Sequence, residues 1–299
     1  IMSRRKGSFG SRMFDICNII FMLLIGVIML YPFLNVIAVS ISSNDQVMMG
    51  YVTIIPKDLN FGAYQLVLKD PLVWRSYLNT VLYAIGSVIL TLGLTALLAY
   101  PLSVDDFKGK KAITVFLTIT MFFNGGLIPT YLCIKNMGLM DTYWVMVLPG
   151  CVGAYNVFVF RTFFQGISKE LRESAYIDGA NDIVILFRII FPLSKALLAT
   201  FALFTIVGTW NSWFNALIYL SDQLKYPLQL VLRRYLFNAA DSVTGNMDQA
   251  MKMQMQMMRV NMKSVQMALI VITMFPITII YPFLQKYFAK GVTLGAVKA

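Results

Sequence analysis

The sequence of 299 residues contains no histidine, and only 13% of its residues are charged. The absence of His excludes His-based metal sites, acid–base pairs and catalytic triads. Cys17, Cys133 and Cys151 show no C-x-x-C spacing, so we expect small apolar side chains there and no redox or metal site. A soluble domain of this size carries about 25% charged residues. The deficit indicates that lipid is the solvent for much of the surface.

Hydrophobic residues make up 58% of the chain. Six stretches free of Asp, Glu, Lys and Arg reach the ~18 residues that a membrane-spanning helix needs. Backbone groups in hydrocarbon must be satisfied internally, so we predict an all-α integral membrane fold. The membrane domain is expected at 16–290, between an N-terminal segment 1–15 and a tail 291–299. Its predicted spans lie at about 16–42, 77–101, 112–132, 142–165, 196–220 and 264–288.

The net charge of +11 is distributed over the short loops between the apolar stretches. With the N-terminus inside, the inside segments carry more Lys and Arg than the outside loops, which favours both termini in the cytoplasm. A basic N-terminus before an apolar stretch is also typical of a signal peptide. The first stretch is longer than a signal peptide and no small-residue cleavage site follows it, so we expect a retained span.

Prolines interrupt several predicted spans, among them Pro32, Pro129, Pro149 and Pro276. Kinked helices are tolerated where neighbouring helices or a water-filled cavity satisfy the freed backbone groups. The prolines therefore favour a bundle with a pathway, although incidental kinks remain an alternative.

The inside loop 161–195 is too polar to span a membrane and too apolar to be a disordered linker. Ser168 is a candidate cap for a helix that begins at Lys169, and Gly179 is expected to interrupt it. Asn181 or Asp182 then caps a second helix over 183–190, before Pro192 marks the start of the fifth span. The alternative is an ordinary amphipathic helix at the membrane surface.

The same loop carries a motif of extended, fixed spacing. Glu173-Ser174-Ala175, Gly179 four residues on, and then Ile189 and Pro192 resemble the EAA motif of ABC importer permeases, E-A-A-x3-G-x9-I-x-L-P. Ser174 replaces the second motif Ala, and Phe191 the Leu. Asp178-Gly179-Ala180 is similar to the sugar-importer branch. Asn124–Thr130, Trp210–Leu217 and Tyr281–Phe288 extend the resemblance to the LplC/YtcP-like group within the MalG-like carbohydrate subfamily.

The resemblance implies a type I ABC importer permease in a bacterial cytoplasmic membrane. Its partners would be membrane lipid, a second homologous permease subunit, two ATPase subunits that bind ATP and Mg, an extracytoplasmic solute-binding protein and an oligosaccharide substrate. No nucleic acid partner and no cofactor of its own are expected. The residues implied to couple to the ATPase are Glu173, Ser174, Ala175, Asp178, Gly179, Ala180, Ile189 and Pro192. The tail, with Gly291 and Gly295, is implied to reach the ATPase subunits.

Polar and aromatic residues at membrane depth are candidates for a substrate pathway. They are Asn156, Trp210, Asn211, Trp213 and Asn215. Packing between helices, with Asn side chains bonding across them, is the favoured alternative.

The last outside loop carries methionines at 247, 251, 255, 258 and 262, which form one helical stripe. Packing of an outside helix and a partner-docking surface both fit this stripe. The basic residues of the loop, with Arg233 and Arg234, suggest attraction of an acidic oligosaccharide or an acidic face of the binding protein.

Other functions fit less well. A stand-alone secondary transporter usually has ionisable residues within its spans, and a membrane scaffold does not explain the motif. An ABC permease for peptides or modified amino acids remains an alternative. The sequence has no G-x4-G-K-[ST] phosphate loop, so the chain is predicted to be a transport subunit without enzymatic activity, and a partner must hydrolyse ATP.

Overall fold

The computed structural model describes residues 9–243, 253 and 255–296. Across these residues the regular structure is helical, with one isolated antiparallel bridge between Ser42 and Leu59. The chain divides into two compact units. One comprises Ile1–Asp70 and Tyr235–Thr273, and the other Pro71–Arg234 and Met274–Ala299.

The first unit opens with a long helix and two short ones, α1 (Phe9–Ser40), α2 (Asn44–Met48) and α3 (Gly62–Lys69). The second unit holds α4 (Pro71–Ser103), α5 (Lys110–Phe122), α6 (Leu127–Asn136), α7 (Trp144–Val147), α8 (Ala154–Gln165), α9 (Lys169–Ile177), α10 (Asp182–Ile185), a π-helical turn (Leu186–Ile190), α11 (Phe191–Leu193), α12 (Lys195–Trp210), α13 (Phe214–Tyr219) and a 3₁₀ turn (Gln223–Lys225). Helices α14 (Leu228–Val243) and α15 (Met262–Ala296) each contribute residues to both units.

Three helical segments are long and apolar enough to cross a membrane: Met13–Ser40, Pro71–Ser103 and Met262–Ile280. Two bent pairs also qualify if each pair forms one span, α5 with α6 at 119° and Asp182–Leu193 with α12 at 84°. By length and composition the described residues therefore provide three spans, or up to five, where the sequence predicts six.

The third predicted span, 112–132, is not one continuous helix. It breaks between α5 and α6, where the Asn124 side chain accepts a hydrogen bond from the Gly126 amide at 2.9 Å. Gly126 has a φ of +82°, which a residue with a Cβ rarely adopts. Helix α5 ends at Phe122, and the side-chain turn at Asn124 with the positive φ of Gly126 sets the new direction in which α6 begins.

The fourth and fifth predicted spans are also interrupted. Between α7 and α8, Pro149 lies in a non-helical segment, and between α12 and α13 the chain leaves the helix at Asn211. The Asn211 amide group donates to the Val207 carbonyl at 2.9 Å, in competition with the helical backbone.

The structure describes most of the predicted tail 291–299. Helix α15 continues through Ala296, so Gly291 and Gly295 are helical, and only 297–299 lie outside the described residues. A glycine within a helix costs about 1 kcal/mol relative to Ala, which is too little to end a helix by itself.

The core of the second unit joins α4, α8, α10 and α12. Its large buried side chains include Tyr100, Phe160, Ile185 and Phe201, and the Phe160 and Phe201 rings meet edge to face at 5.0 Å. Burial of one such side chain stabilises the fold by roughly 1.5–3 kcal/mol. Ile185 lies in the segment Glu173–Pro192, which carries the EAA-like motif and is called the motif segment below. This core therefore ties the motif segment to the long helices.

Candidate functional site

Helix α9 ends at the glycine of the motif. Gly179 has a φ of +81°, its amide donates to the Tyr176 carbonyl at 3.0 Å, and the Ala180 amide donates to the Ala175 carbonyl at 2.9 Å. These two bonds form a Schellman ending, which satisfies carbonyls that the helix leaves unpaired. The interruption predicted at Gly179 is confirmed.

The two predicted caps have different outcomes. Asn181 accepts a hydrogen bond from the Val184 amide at 2.9 Å, which confirms it as the cap of α10. Ser168 does not cap α9 through its side chain. Its hydroxyl instead donates to the Glu170 carboxylate at 3.3 Å, and its oxygen accepts no backbone amide of the first turn.

The second helix is shorter than predicted. Helix α10 ends at Ile185 and a π-helical turn over Leu186–Ile190 follows. Pro192 has no amide hydrogen, and its ring excludes the carbonyl four residues earlier. A locally widened turn before Pro192 accommodates both effects.

The residues of the motif divide into an exposed and a buried set. Glu173, Ser174, Asp178, Gly179 and Pro192 are exposed, Ala180 and Ile189 are half-buried, and Ala175 is buried. The exposed set includes polar side chains and a turn that another subunit can contact. Ala175 instead packs into the core of this chain.

The two most exposed apolar residues of this segment are not among the predicted site residues. Ile177 is 87% exposed and Ile183 63% exposed, on either side of the Gly179 turn. The sequence signal that could have identified Ile177 is its position directly before the turn residues Asp178-Gly179. Large apolar side chains exposed to water are characteristic of contact surfaces.

A lysine at the start of α9 ties this helix to the loop after α4. The Lys169 ammonium donates to the Asp105 carboxylate, and Lys110 approaches the same carboxylate at 3.9 Å. The bond from Lys169 lowers the pKa of Asp105 below its usual range and raises the pKa of Lys169. Lys169 at the start of α9 and Lys110 at the start of α5 thus share the Asp105 carboxylate.

A cavity of about 500 Å³ lies among α4, α8 and α12. Two of the candidate pathway residues, Asn156 and Asn215, line it. Most of the other polar side chains in its wall carry hydroxyls, from Ser87, Thr91, Tyr155, Thr205, Thr209 and Ser212. Amide and hydroxyl groups around a cavity of this size are able to bind the hydroxyls of a polar, uncharged group.

The remaining candidates make contacts elsewhere. Trp210 is buried with its ring edge to face against Tyr77 at 5.6 Å, and Asn211 accepts a hydrogen bond from Gln229 at 3.2 Å. The Arg233 guanidinium lies 3.4 Å from the centre of the Trp213 ring. These three side chains therefore have packing partners outside the lining of the cavity.

Asp141 organises the loop after α13, and the sequence analysis did not single it out. Its carboxylate accepts hydrogen bonds from the Ser221 and Asp222 amides at 3.0 and 3.1 Å, and from the Lys225 ammonium at 2.9 Å. The Lys225 bond lowers the pKa of Asp141, and the same bond raises the pKa of Lys225. Its three partners lie about 80 residues away in the sequence.

Only part of the methionine stripe lies within the described residues. Met247 and Met251 lie outside the described residues. Met255 is buried, and Met258 and Met262 are half-buried, which favours packing over docking. The helical turn ends after Met257, since Arg259 has a φ of +50°, so the stripe is not one continuous helix.

A helical membrane domain with a polar cavity among its helices, and a short motif helix fixed to one of them, has the architecture of the membrane subunit of a transporter. The chain belongs to the family of binding-protein-dependent transport system inner membrane components, the permeases of ABC importers, whose sequence profile matches residues 1–294. The resemblance indicated by the EAA-like motif is thereby confirmed.

Similar proteins cover almost the whole chain. Protein LplC of Bacillus subtilis (strain 168) is 40% identical over 97% of this chain and 96% of its own. The polygalacturonan/rhamnogalacturonan transport system permease protein YtcP of the same strain is 36% identical over 96% of this chain and 99% of its own. A chain in the crystal structure of a bacterial ABC transporter involved in the import of the acidic polysaccharide alginate superimposes with a TM-score of 0.89 at 33% identity, over 95% of this chain and 99% of that one. The helical permease fold predicted from the sequence agrees with this structure.

Proposed function

We propose that the chain is one of two permease subunits of an ABC importer that moves an oligosaccharide into the cytoplasm by alternating access. ATP and Mg²⁺ would be bound by two partner ATPase subunits, and a solute-binding protein outside the membrane would deliver the substrate. The main observation in support is the α9 segment. It presents the polar residues of the motif to solvent and is fixed to α4 and α8 through the core.

The segment from Glu173 to Pro192 would be the coupling helix of this importer. Glu173, Asp178 and the exposed Ile177 are available for contact with a cleft on an ATPase subunit. The left-handed turn at Gly179 fixes the angle between α9 and α10. Helical residues 291–296 would approach the ATPase subunits from the end of α15.

We propose six spans with both termini in the cytoplasm. Three would be continuous, in α1, α4 and α15, and three broken, α5 with α6, α7 with α8, and α12 with α13. Irregular backbone at membrane depth is tolerated only where protein or a water-filled cavity satisfies it. The cavity beside α8 and α12 is consistent with this requirement.

The substrate pathway would pass Asn156 and Asn215, whose amides can bind sugar hydroxyls. Trp210, Asn211 and Trp213 would serve mainly in packing. We favour an oligosaccharide that contains uronic acids, because the names of YtcP and of the alginate importer refer to acidic polysaccharides. A permease for peptides or modified amino acids is the alternative function, and the experiment described next distinguishes the two.

The experiment is to purify the permease with its partner subunits in nanodiscs and to measure ATP hydrolysis stimulated by the binding protein. The binding protein is loaded in parallel with trigalacturonate, an alginate trisaccharide, neutral maltotriose or a mixed peptide pool. We expect an acidic trisaccharide to give the largest stimulation. Stimulation by the peptide pool alone would overturn the proposed substrate class.

Three variants test the coupling role in the same assay. Gly179→Pro and Glu173→Lys should abolish stimulated hydrolysis while the complex still assembles. Lys108→Ala is the matched control, since it removes an exposed charge outside the segment from Glu173 to Pro192 and should leave stimulation unchanged. Full activity in both of the first two variants would refute the coupling assignment.

A further inference from the structure

One carboxylate oxygen holds together three elements around the motif segment. Asp182 Oδ1 accepts a hydrogen bond from the Tyr100 hydroxyl at 3.1 Å and another from the Tyr176 hydroxyl. Tyr100 lies near the end of α4, Tyr176 in α9 and Asp182 at the start of α10. The carboxylate thus links both sides of the Gly179 turn to a long apolar helix.

This link differs from the tie between Lys169 and Asp105 in having one buried partner. The Lys169 and Asp105 side chains are 69% and 58% exposed, and ion pairs at such positions contribute little. Asp182 and Tyr176 are also exposed, but Tyr100 is only 4% exposed, so loss of the carboxylate would remove an acceptor from a buried hydroxyl. Hydrogen bonds to a carboxylate are also about twice as strong as neutral ones.

Core packing fixes the inner side of the segment, where Ala175 and Ile185 pack in one cluster with residues of α4 and α8. On its outer side a cavity of about 340 Å³ lies beside the carboxylate, with an apolar wall formed mainly by Leu97, Val104, Phe107 and Leu186. Space of this size would allow the Asp182 end of α10 to shift relative to α4. The hydrogen bonds at Asp182 therefore add to the core packing and hold α10 against α4 on this side.

We propose that Asp182 is a positioning residue for energy coupling, which joins the motif segment and the Ser103 end of α4 into one rigid body. Displacement of α9 by an ATPase subunit is then passed directly to α4, and from there to the wall of the larger cavity. This inference rests on the proposed coupling function. Asp182 lies outside the residues that define the motif, and it need not touch the ATPase.

The test measures rigidity with electron–electron distance spectroscopy. Spin labels are placed at Glu170 in α9 and Ile89 in α4, both exposed, in a complex otherwise free of cysteine. We expect one narrow distance distribution that Mg²⁺ and a non-hydrolysable ATP analogue do not change. Asp182→Ala should broaden it and make it nucleotide-dependent. Asp106→Ala removes a carboxylate from the same cavity wall and is the matched control.

Activity provides the second readout. With trigalacturonate on the binding protein, Asp182→Ala should reduce stimulated ATP hydrolysis by at least roughly tenfold, the effect expected for one charge-assisted hydrogen bond, because it loses two of them, at an unchanged KM for ATP. Tyr100→Phe should act in the same direction and add nothing in the Asp182→Ala background. If the complex with Asp182→Ala fails to assemble, the Tyr100→Phe variant is used alone to test the proposal.

A distance distribution for Asp182→Ala or Tyr100→Phe that matches the Asp106→Ala control would overturn the proposal. The proposed function fails by a different result, namely retained stimulation in Gly179→Pro and Glu173→Lys. The two failures are therefore distinguishable in one set of preparations.

Discussion

The Arg233 guanidinium lies over the face of the Trp213 ring, 3.4 Å from its centre. A cation in this position is attracted by the ring quadrupole, by about 0.5–2 kcal/mol depending on its exposure. The contact occupies a ring face that a sugar would otherwise need for stacking. It also places a positive charge beside a half-buried aromatic residue.

Arg233→Ala should lower the thermal stability of the complex by about 1 kcal/mol through loss of this contact. Arg233→Lys should restore only part of it, since an ammonium lacks the planar stacking surface. Arg234→Ala is the matched control, because its guanidinium lies farther from a ring, 5.2 Å from the centre of Tyr226. Thermal unfolding in nanodiscs measures the effect, and equal losses for both Ala variants would contradict it.

Variants of Arg233 and Arg234 also test whether these two side chains attract an acidic ligand. If Arg233 and Arg234 attract it, uptake of trigalacturonate should fall in the double Ala variant and should weaken with added salt in the wild type. Binding that is insensitive to salt and unchanged in the double variant would remove this role.

Gly179→Ala should destabilise the end of α9 by about 1–2 kcal/mol, the cost of a left-handed conformation for a residue with a Cβ. No atom lies within 4 Å of the added Cβ, so the penalty is in the backbone alone. Gly179→Asn should cost less, since Asn tolerates this region. Gly93→Ala, in α4 with equally open space and a helical φ, should be neutral or stabilising. Limited proteolysis of the segment reports the difference.

The ion pair of Asp141 and Lys225 should make stability depend on pH at both extremes. The folded pKa of Asp141 is lowered, so its contribution is present above the unfolded value of 3.8 and is lost as pH falls through the folded pKa. The folded pKa of Lys225 is raised, so its contribution is present below 10.5 and is lost as pH rises through the folded value.

Asp141→Asn keeps the backbone preference and an acceptor oxygen but removes the charge. It should lower the melting temperature at pH 7, and the difference from wild type should shrink below about pH 4. A difference that stays constant down to pH 3 would show that the charge is not responsible.

Asn156→Leu and Asn215→Leu should each raise the KM for oligosaccharide uptake by roughly fivefold, as expected for one lost neutral hydrogen bond. Asn211→Ala is the matched control, because Asn211 lies outside the lining of the cavity and binds Val207 and Gln229. Radiolabelled uptake into vesicles provides the measurement. An equal effect in all three variants would indicate a general loss of packing.

Local sequence signals predicted local structure well. Gly179 and Asn181 act within three residues of their partners, so their geometry could be predicted from residue type alone. The prediction for Ser168 was wrong, since its side chain bonds the Glu170 carboxylate and accepts no backbone amide. Asn124 and Gly126 were visible in the sequence, but a charge-free stretch was taken to be one continuous helix, and hydropathy does not detect a turn at membrane depth.

Contacts between distant residues could not be predicted. Tyr100 and Asp182 are 82 residues apart, and the bond between them depends on how α4 packs against the motif segment. Asp141 likewise binds amides 80 and 81 residues away. The division of the candidate pathway residues, with Asn156 and Asn215 at the cavity and Trp210 away from it, follows from the same tertiary packing.

The first helix has a further consequence for assembly. Side chains along α1, such as Ile19, Leu23 and Val27, are exposed over most of its length, and the buried positions cluster at its end, at Ala38 to Ser40. Its stability therefore comes from its own backbone hydrogen bonds and from partition into hydrocarbon. Such a helix can enter the bilayer before the rest of the chain has folded, as an independent first stage of biogenesis.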